Sequence, residues 1–145
     1  MEKPVEVILR GGQFKQYTQQ ELAGLREKYD LKRIELEVLY FLSICGENDT
    51  VASIHEYFNA NKGHISQALF TLCKRGYVTS ERDRKDRRYT HYSLTAEGKM
   101  IAGEMKKVWD KVHSDMFAGV SEEELECFQR VSRRMCENIN RKLEG

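Results

Sequence analysis

The sequence predicts a mainly α-helical chain with one small two-stranded β-wing. Three observations carry that prediction. Apolar residues recur at helical spacing along most of the 145 residues. One stretch, "YVTSERDRKDRRYTHYSLT", is instead β-branched and aromatic on either side of a charged middle. No internal repeat, low-complexity tract or linker interrupts the order, so a single domain covering residues 1–145 is the simplest organisation.

Between Gly12 and Asp30, Phe14, Leu22, Leu25 and Tyr29 keep helical spacing in part, with Thr18 between them. The Gly11-Gly12 pair ahead of them is poor helix material, at about 1 kcal/mol per glycine, and marks a break or a close backbone approach. A second helix is predicted in "KRIELEVLYFLSICG", with Ile34, Val38, Leu39 and Leu42 on its apolar face and Gly46 as its stop. Thr50 caps a short third helix, "VASIHEYF". Asn61 caps a fourth, "KGHISQALFTLCKR", whose apolar face is Ile65, Ala68, Leu69 and Leu72. The opposite face carries His64, Ser66, Gln67, Thr71 and Lys74, and Gly76 ends the helix. The strands "YVTSER" and "RYTHYSLT" follow, joined by "DRKD". Thr95 then caps a long helix in which Ile101, Met105, Val108, Val112 and Met116 form a stripe widened by Trp109 and Phe117. Ser121 and Glu124 form a capping box for a last helix, which bears Leu125, Phe128, Ser132, Met135, Ile139 and Leu143.

Charge is distributed unevenly although the net is only +1. Residues 1–61 hold 7 Lys/Arg against 10 Asp/Glu, residues 62–92 hold 8 against 3, and residues 93–145 hold 9 against 10. One basic segment on an otherwise neutral chain is the footprint of a polyanionic partner. Two short helices with a tight turn, followed at once by a cationic hairpin, describe a winged helix–turn–helix. Its fourth helix suits the DNA major groove, and the hairpin beside it suits the backbone and minor groove. Arg82, Arg84, Lys85, Arg87 and Arg88 are placed to face phosphate.

No apolar run reaches the roughly 18 residues of a membrane span. The N-terminal stretch lacks the basic-then-apolar pattern of a secretory signal, so a cytoplasmic location is expected. Cys45, Cys73, Cys127 and Cys136 are widely spaced and expected to stay reduced as small, semi-buried residues. No Gly-rich phosphate loop, metal-ligand cluster or nucleophile elbow is present, which argues against an enzyme, a cofactor and a bound metal.

The segment "LCKRGYVTSERDRKDRRYTHYSLTAEGK" resembles the central signature of the MarR family of transcriptional regulators. The residues that carry the likeness are Leu72, Arg75, Gly76, Tyr77, Val78, Arg82, Asp86, Arg88, Leu94, Thr95 and Gly98. The order of elements over residues 5–143 is also similar. The resemblance implies a winged helix–turn–helix lobe over about residues 31–98, with dimerisation helices over about 5–29 and 95–144. It implies a homodimer on a pseudo-palindromic double-stranded operator, usually a repressor relieved by a small-molecule effector. Carried over by position, Arg88 would enter the minor groove, and Asp86 would hold the wing by pairing with a nearby arginine, Arg82 being the other structural residue there. Gln67 stands where many members place a base-reading arginine. His64, Ser66, Thr71 and Lys74 share its face, and Arg84 and Lys85 would be loose phosphate partners.

Three positions depart from the family pattern. Gly63 stands where Ser or Thr often contacts phosphate, Lys32 replaces a threonine cap, and His55 replaces a small alanine. Glutamine at 67 suits adenine rather than guanine, because it pairs bidentately with adenine N6 and N7. Tyr17, Tyr40, Phe41 and Trp109 are candidates for an effector crevice, with core packing as the alternative. Rival readings are a thiol- or metal-sensing regulator of the same fold, and a winged helix used for protein contacts. No cysteine precedes Cys45, and His55, His64, His91 and His113 are scattered.

Overall fold

The computed structural model describes residues 12–58 and 60–145. Among them are six helices and one two-stranded antiparallel sheet: α1 Gly12–Tyr29, α2 Arg33–Ile44, α3 Val51–Phe58, α4 Lys62–Lys74, β1 Val78–Arg82, β2 Thr90–Leu94, α5 Ala96–Met116 and α6 Glu122–Glu144. The mainly helical class with a small hairpin is therefore as expected. Residues 5–11 of the expected first flank, and Gly11 of the glycine pair, lie outside the described residues, while Gly12 opens α1.

The described residues up to Asp110 form one compact unit. Its core gathers Leu22 from α1, Leu36, Val38, Leu39 and Phe41 from α2, and Ile54 from α3. Ile65, Ala68, Leu69 and Leu72 of α4, Val78 of β1, and Ile101 and Met105 of α5 complete it. Each large side chain so buried contributes about 1.5–3 kcal/mol of transfer free energy. The α2 face is rotated from the expected one: Leu36 and Phe41 are buried, whereas Ile34 and Leu42 are half-buried. Phe41 stacks at 4.9 Å on Tyr57 and 5.9 Å on Phe58, which fixes α3 against α2.

Caps set the joints of the helix–turn–helix. Lys32 precedes α2 without a side-chain cap, since an ammonium cannot accept a hydrogen bond. Glu35 compensates in part by reaching back to accept the Lys32 N–H at 3.3 Å. Thr50 Oγ1 accepts the Ser53 N–H at the start of α3. His55, where a small residue was the family expectation, donates from Nδ1 to the Ala60 carbonyl and closes the turn into α4.

The hairpin is anchored at both ends. Gly76 turns the chain out of α4 with φ 79°, a backbone region that disfavours other residues. The strands pair from Val78 opposite Leu94 to Arg82 opposite Thr90. Tyr92 N–H donates to Asp49 O at 3.1 Å, which ties β2 to the turn before α3. Thr95 caps α5 through its Oγ1, which accepts the Gly98 N–H and donates to Gly76 O. Gly98 is required by close approach, because a Cβ there would stand 2.1 Å from Tyr77 O.

Lys111–Gly145 form a second compact unit. Phe117 packs its ring 4.7 Å from His113 and 6.2 Å from Phe128. The Ser121–Glu124 capping box is formed in both directions, at 2.8 and 3.1 Å. None of the residues of α6 is buried, and Phe128, Val131, Ile139 and Leu143 are each more than half exposed.

Candidate nucleic-acid interface

Helix α4 presents a polar face outward because its other face is fully committed to the core. Its first turn is held by Asn61, whose Oδ1 accepts the Gly63 N–H at 2.7 Å. A Cβ at residue 63 would lie 2.9 Å from that oxygen, so a larger residue would require the Asn61 side chain to shift. The Gly63 N–H is thereby already bonded to the cap, and glycine has no side chain to offer a phosphate at this position. His64, Ser66, Gln67 and Lys74 are exposed, and Thr71 is half-buried.

Three of these share a cleft. His64, Gln67 and Thr71 line a concavity of about 270 Å³ with Lys32, Ile34, Glu35 and Ala68, between the start of α2 and α4. Glu35 is 5% exposed, and its Oε2 has no hydrogen-bond partner among the described residues. Ser66 and Lys74 do not line this cleft.

The wing loop, residues 83–89, is built by two aspartates. Asp83 Oδ1 accepts the N–H groups of Lys85 and Asp86, each at 2.8 Å. Asp86 Oδ1 accepts the Arg88 N–H at 3.1 Å, and its carboxylate receives Nε and Nη2 of the same arginine at 2.8–3.2 Å. Asp86 thus pairs with Arg88, whereas Arg82 supplies the last backbone position of β1. This pairing, with Tyr89 N–H donating to Asp86 O, draws Arg88 and Tyr89 into the loop. The second strand accordingly starts at Thr90, not at Arg88 as the composition had indicated. The Arg88 side chain remains 84% exposed, so solvent screens the ion pair and it adds little to stability. Its consequence is orientation: two guanidinium nitrogens are fixed on Asp86 while Nη1 stays clear of it. The Arg88 side chain holds the Asp86 carboxyl below the usual range, and Asp86 raises the guanidinium in turn.

Sequence reasoning missed the clasp at the base of the wing. His91 Nε2 meets Asp83 Oδ2 at 2.8 Å, and its Nδ1 meets Asp49 Oδ1. A ring bonded to carboxylates at both nitrogens is satisfied best as imidazolium, and Asp49 first, then Asp83, pushes its pKa up. Asp83 falls to about 2, chiefly through the Asp86 N–H and then His91 and the Lys85 N–H. Turn-forming aspartates at 83 and 86 were a readable signal, but the partnership with Asp49 was not. The two ring nitrogens face different carboxylates. Among the described residues no group of three or more His, Cys, Asp or Glu could hold a metal ion.

Arg75 fastens α4 from behind. It donates to Asp30 O at 2.6 Å and to Tyr29 O, and lies 5.3 Å from the centroid of the Tyr77 ring. The end of α1 is held in turn by Glu104 of α5, which receives Lys28 Nζ at 2.7 Å and the Tyr29 hydroxyl. A larger concavity, of about 650 Å³, opens among the end of α2, β2 and α5, lined in part by Tyr40, Cys45, Tyr92, Lys99 and Lys106. Of the four aromatic candidates for a crevice, Tyr40 lines it. Phe41 is core, and Trp109 packs against the core.

Residues 31–98 match the family model of the winged helix DNA-binding domain. An HTH-type transcriptional regulator of Bacillus subtilis, YwaE, is 25% identical over 112 residues, covering 77% of this chain and 65% of its own length. The chain thus spans just under two thirds of that relative. The crystal structure of a MarR transcriptional regulator from Methanosarcina mazei Go1 superposes with TM-score 0.76 at 25% identity, over 94% of this chain and 98% of that one. The MepR–DNA complex of S. aureus is similar at TM-score 0.74 and 18% identity, over 94% and 99% of the two chains.

Proposed function

We propose that this chain is a winged helix–turn–helix transcriptional regulator of the MarR type, a cytoplasmic, ligand-responsive repressor acting as a homodimer on a pseudo-palindromic operator. The observation that carries the reading is a pair of exposed features, a polar helix face and a cationic wing, on one buttressed frame. The exposed face of α4 holds His64, Ser66, Gln67 and Lys74. The wing holds Arg84, Lys85 and an Arg88 aimed by Asp86. Helix α4 reads the major groove, with Gln67 on adenine, and Arg88 enters the minor groove.

The uncovered apolar side chains of α6 support the homodimer, since an isologous contact covers them and matches a two-fold operator. The 650 Å³ concavity supports a small effector. Lys99, with Tyr40 and Tyr92, suits a partly aromatic molecule bearing an anionic group, although Asp49 also lines the concavity and Lys106 is paired with Asp110.

The test is binding of variants to operator and to random duplex at several salt concentrations. Arg88→Ala is expected to lose roughly 1–3 kcal/mol on operator alone and to relax preference at the outer positions of each half-site. Arg84→Ala and Lys85→Ala weaken both duplexes alike and lower the salt slope by about one. Gln67→Ala changes preference at a central position with little change of slope. Equal losses on both duplexes for Arg88→Ala would reduce the wing to an electrostatic pad. In sedimentation a dimer is expected at micromolar concentration, and a monomer that binds the full operator tightly would contradict the assembly.

A further inference from the structure

Phe70 lies in the middle of the outward face of α4 and is 66% exposed. At 3.6 residues per turn, Gly63, Ser66, Gln67, Phe70 and Lys74 project to one side of the helix, and all five are exposed. Binary patterning assigns an apolar residue to the core, yet the core side of α4 is already filled by Ile65, Ala68, Leu69 and Leu72. Other apolar side chains are equally open, Met100 among them, and scattered exposure of that kind is ordinary. What separates Phe70 is its company. Gln67 stands one turn before it, Lys74 one turn after, and Lys62 opens the same helix. An aromatic ring ringed by polar and cationic groups suits a partner that is anionic overall but carries an apolar spot.

The DNA major groove has one apolar recognition feature, the C5-methyl of thymine. We propose that Phe70 is a specificity-determining residue that packs its ring on a thymine methyl next to the base faced by Gln67. The inference rests on the reading of α4 as the DNA-contacting helix. Three residues along a helix advance about 4.5 Å, close to one base step of about 3.4 Å, so the two side chains address neighbouring base pairs. The backward lean of helical side chains sets the Phe70 ring over the turn of Ser66 and Gln67.

The experiment uses the full chain and a duplex that it selects from a random pool. Each thymine of that duplex is replaced singly by deoxyuridine, which deletes the methyl and leaves base pairing intact. One position per half-site is expected to weaken wild-type binding about fourfold, the value of one buried methyl. Phe70→Ala is expected to bind the parent duplex more weakly and to be indifferent to deoxyuridine at that position alone, while Phe70→Leu keeps part of the sensitivity. The exposed ring makes loss of folding an unlikely source of the effect, and the melting temperature checks it. Insensitivity of the wild type at every thymine, or a deoxyuridine loss that persists unchanged in Phe70→Ala, overturns the assignment while leaving the regulator reading intact. Failure of the wild type to select any sequence overturns both.

Discussion

Alanine at Gly98 should disconnect the hairpin from the helix that follows it. The new Cβ would stand 2.1 Å from Tyr77 O, 3.1 Å from Tyr77 C and 3.3 Å from Leu94 Cδ2. A carbon rests against a carbonyl oxygen at about 3.3 Å or more, so over an ångström must be recovered by moving backbone. Overpacking of that kind costs about 3 kcal/mol, the upper part of its usual range. The obstructed carbonyl also accepts the Thr95 N–H at 3.1 Å, and disturbing that bond adds about 1 kcal/mol. The lower entropy of an unfolded alanine returns about 1 kcal/mol. The net loss is about 3 kcal/mol, or roughly 6–12 °C in melting temperature for a chain of this size. Gly103→Ala is the control on the same helix, where a Cβ meets nothing within 4 Å. It should gain about 0.4–1 kcal/mol. Thermal unfolding followed by circular dichroism, at one fixed protein concentration, reads both. A Gly98→Ala protein melting within a degree of wild type, or an equal fall for Gly103→Ala, would refute the close-approach argument.

Arg75→Ala removes two hydrogen bonds to the end of α1 and the stacking on Tyr77. It should lower the urea midpoint by the equivalent of about 1–2 kcal/mol with an unchanged slope, and Arg75→Lys should recover little because an ammonium lacks the planar fork. The His91 clasp makes stability depend on pH in a defined sense. Its folded pKa is raised, so its contribution is complete below the unfolded value of about 6.5 and is lost as pH rises through the folded value. The stability gap between wild type and His91→Gln should therefore be open in mild acid and close at alkaline pH. A gap that widens with alkali would reverse the assignment. Asp83 behaves oppositely: its contribution is present above an unfolded value of about 3.9 and disappears as pH falls through about 2, which denaturant midpoints of Asp83→Asn and wild type along an acid series will register. Burial pushes the Cys45 and Cys73 thiols up, leaving little thiolate at neutral pH. Low peroxide should leave DNA binding intact, and a loss that reductant restores would favour thiol sensing.

The helices and hairpin were legible where their boundaries are marked locally. Asn61, Thr95 and the Ser121–Glu124 pair all cap where the pattern places them. The misreadings have equally physical sources. Arg88 has the strand-like neighbours Tyr89 and Thr90, but Asp86 captures its N–H and keeps it in the loop. Asp49 and His91 stand 42 residues apart, and nothing periodic joins them. Phe70 was overlooked because an apolar residue among polar ones draws notice only when its partner is known not to be the core.

The corner where α1 ends receives a cation from α4, through Arg75, and an anion from α5, through Glu104. Mechanically that corner is a fulcrum. Helix α1 has 18 residues and so is a stiff arm about 27 Å long. A sideways displacement of about 2 Å at its Gly12 end becomes a tilt of only about 4° at the pinned end. Arg75 grips the pinned carbonyls directly, so α4 receives such a push as a small change of angle rather than a slide. Helix α4 is in this way geared down from whatever moves the far end of α1, by a ratio that the length of one helix sets.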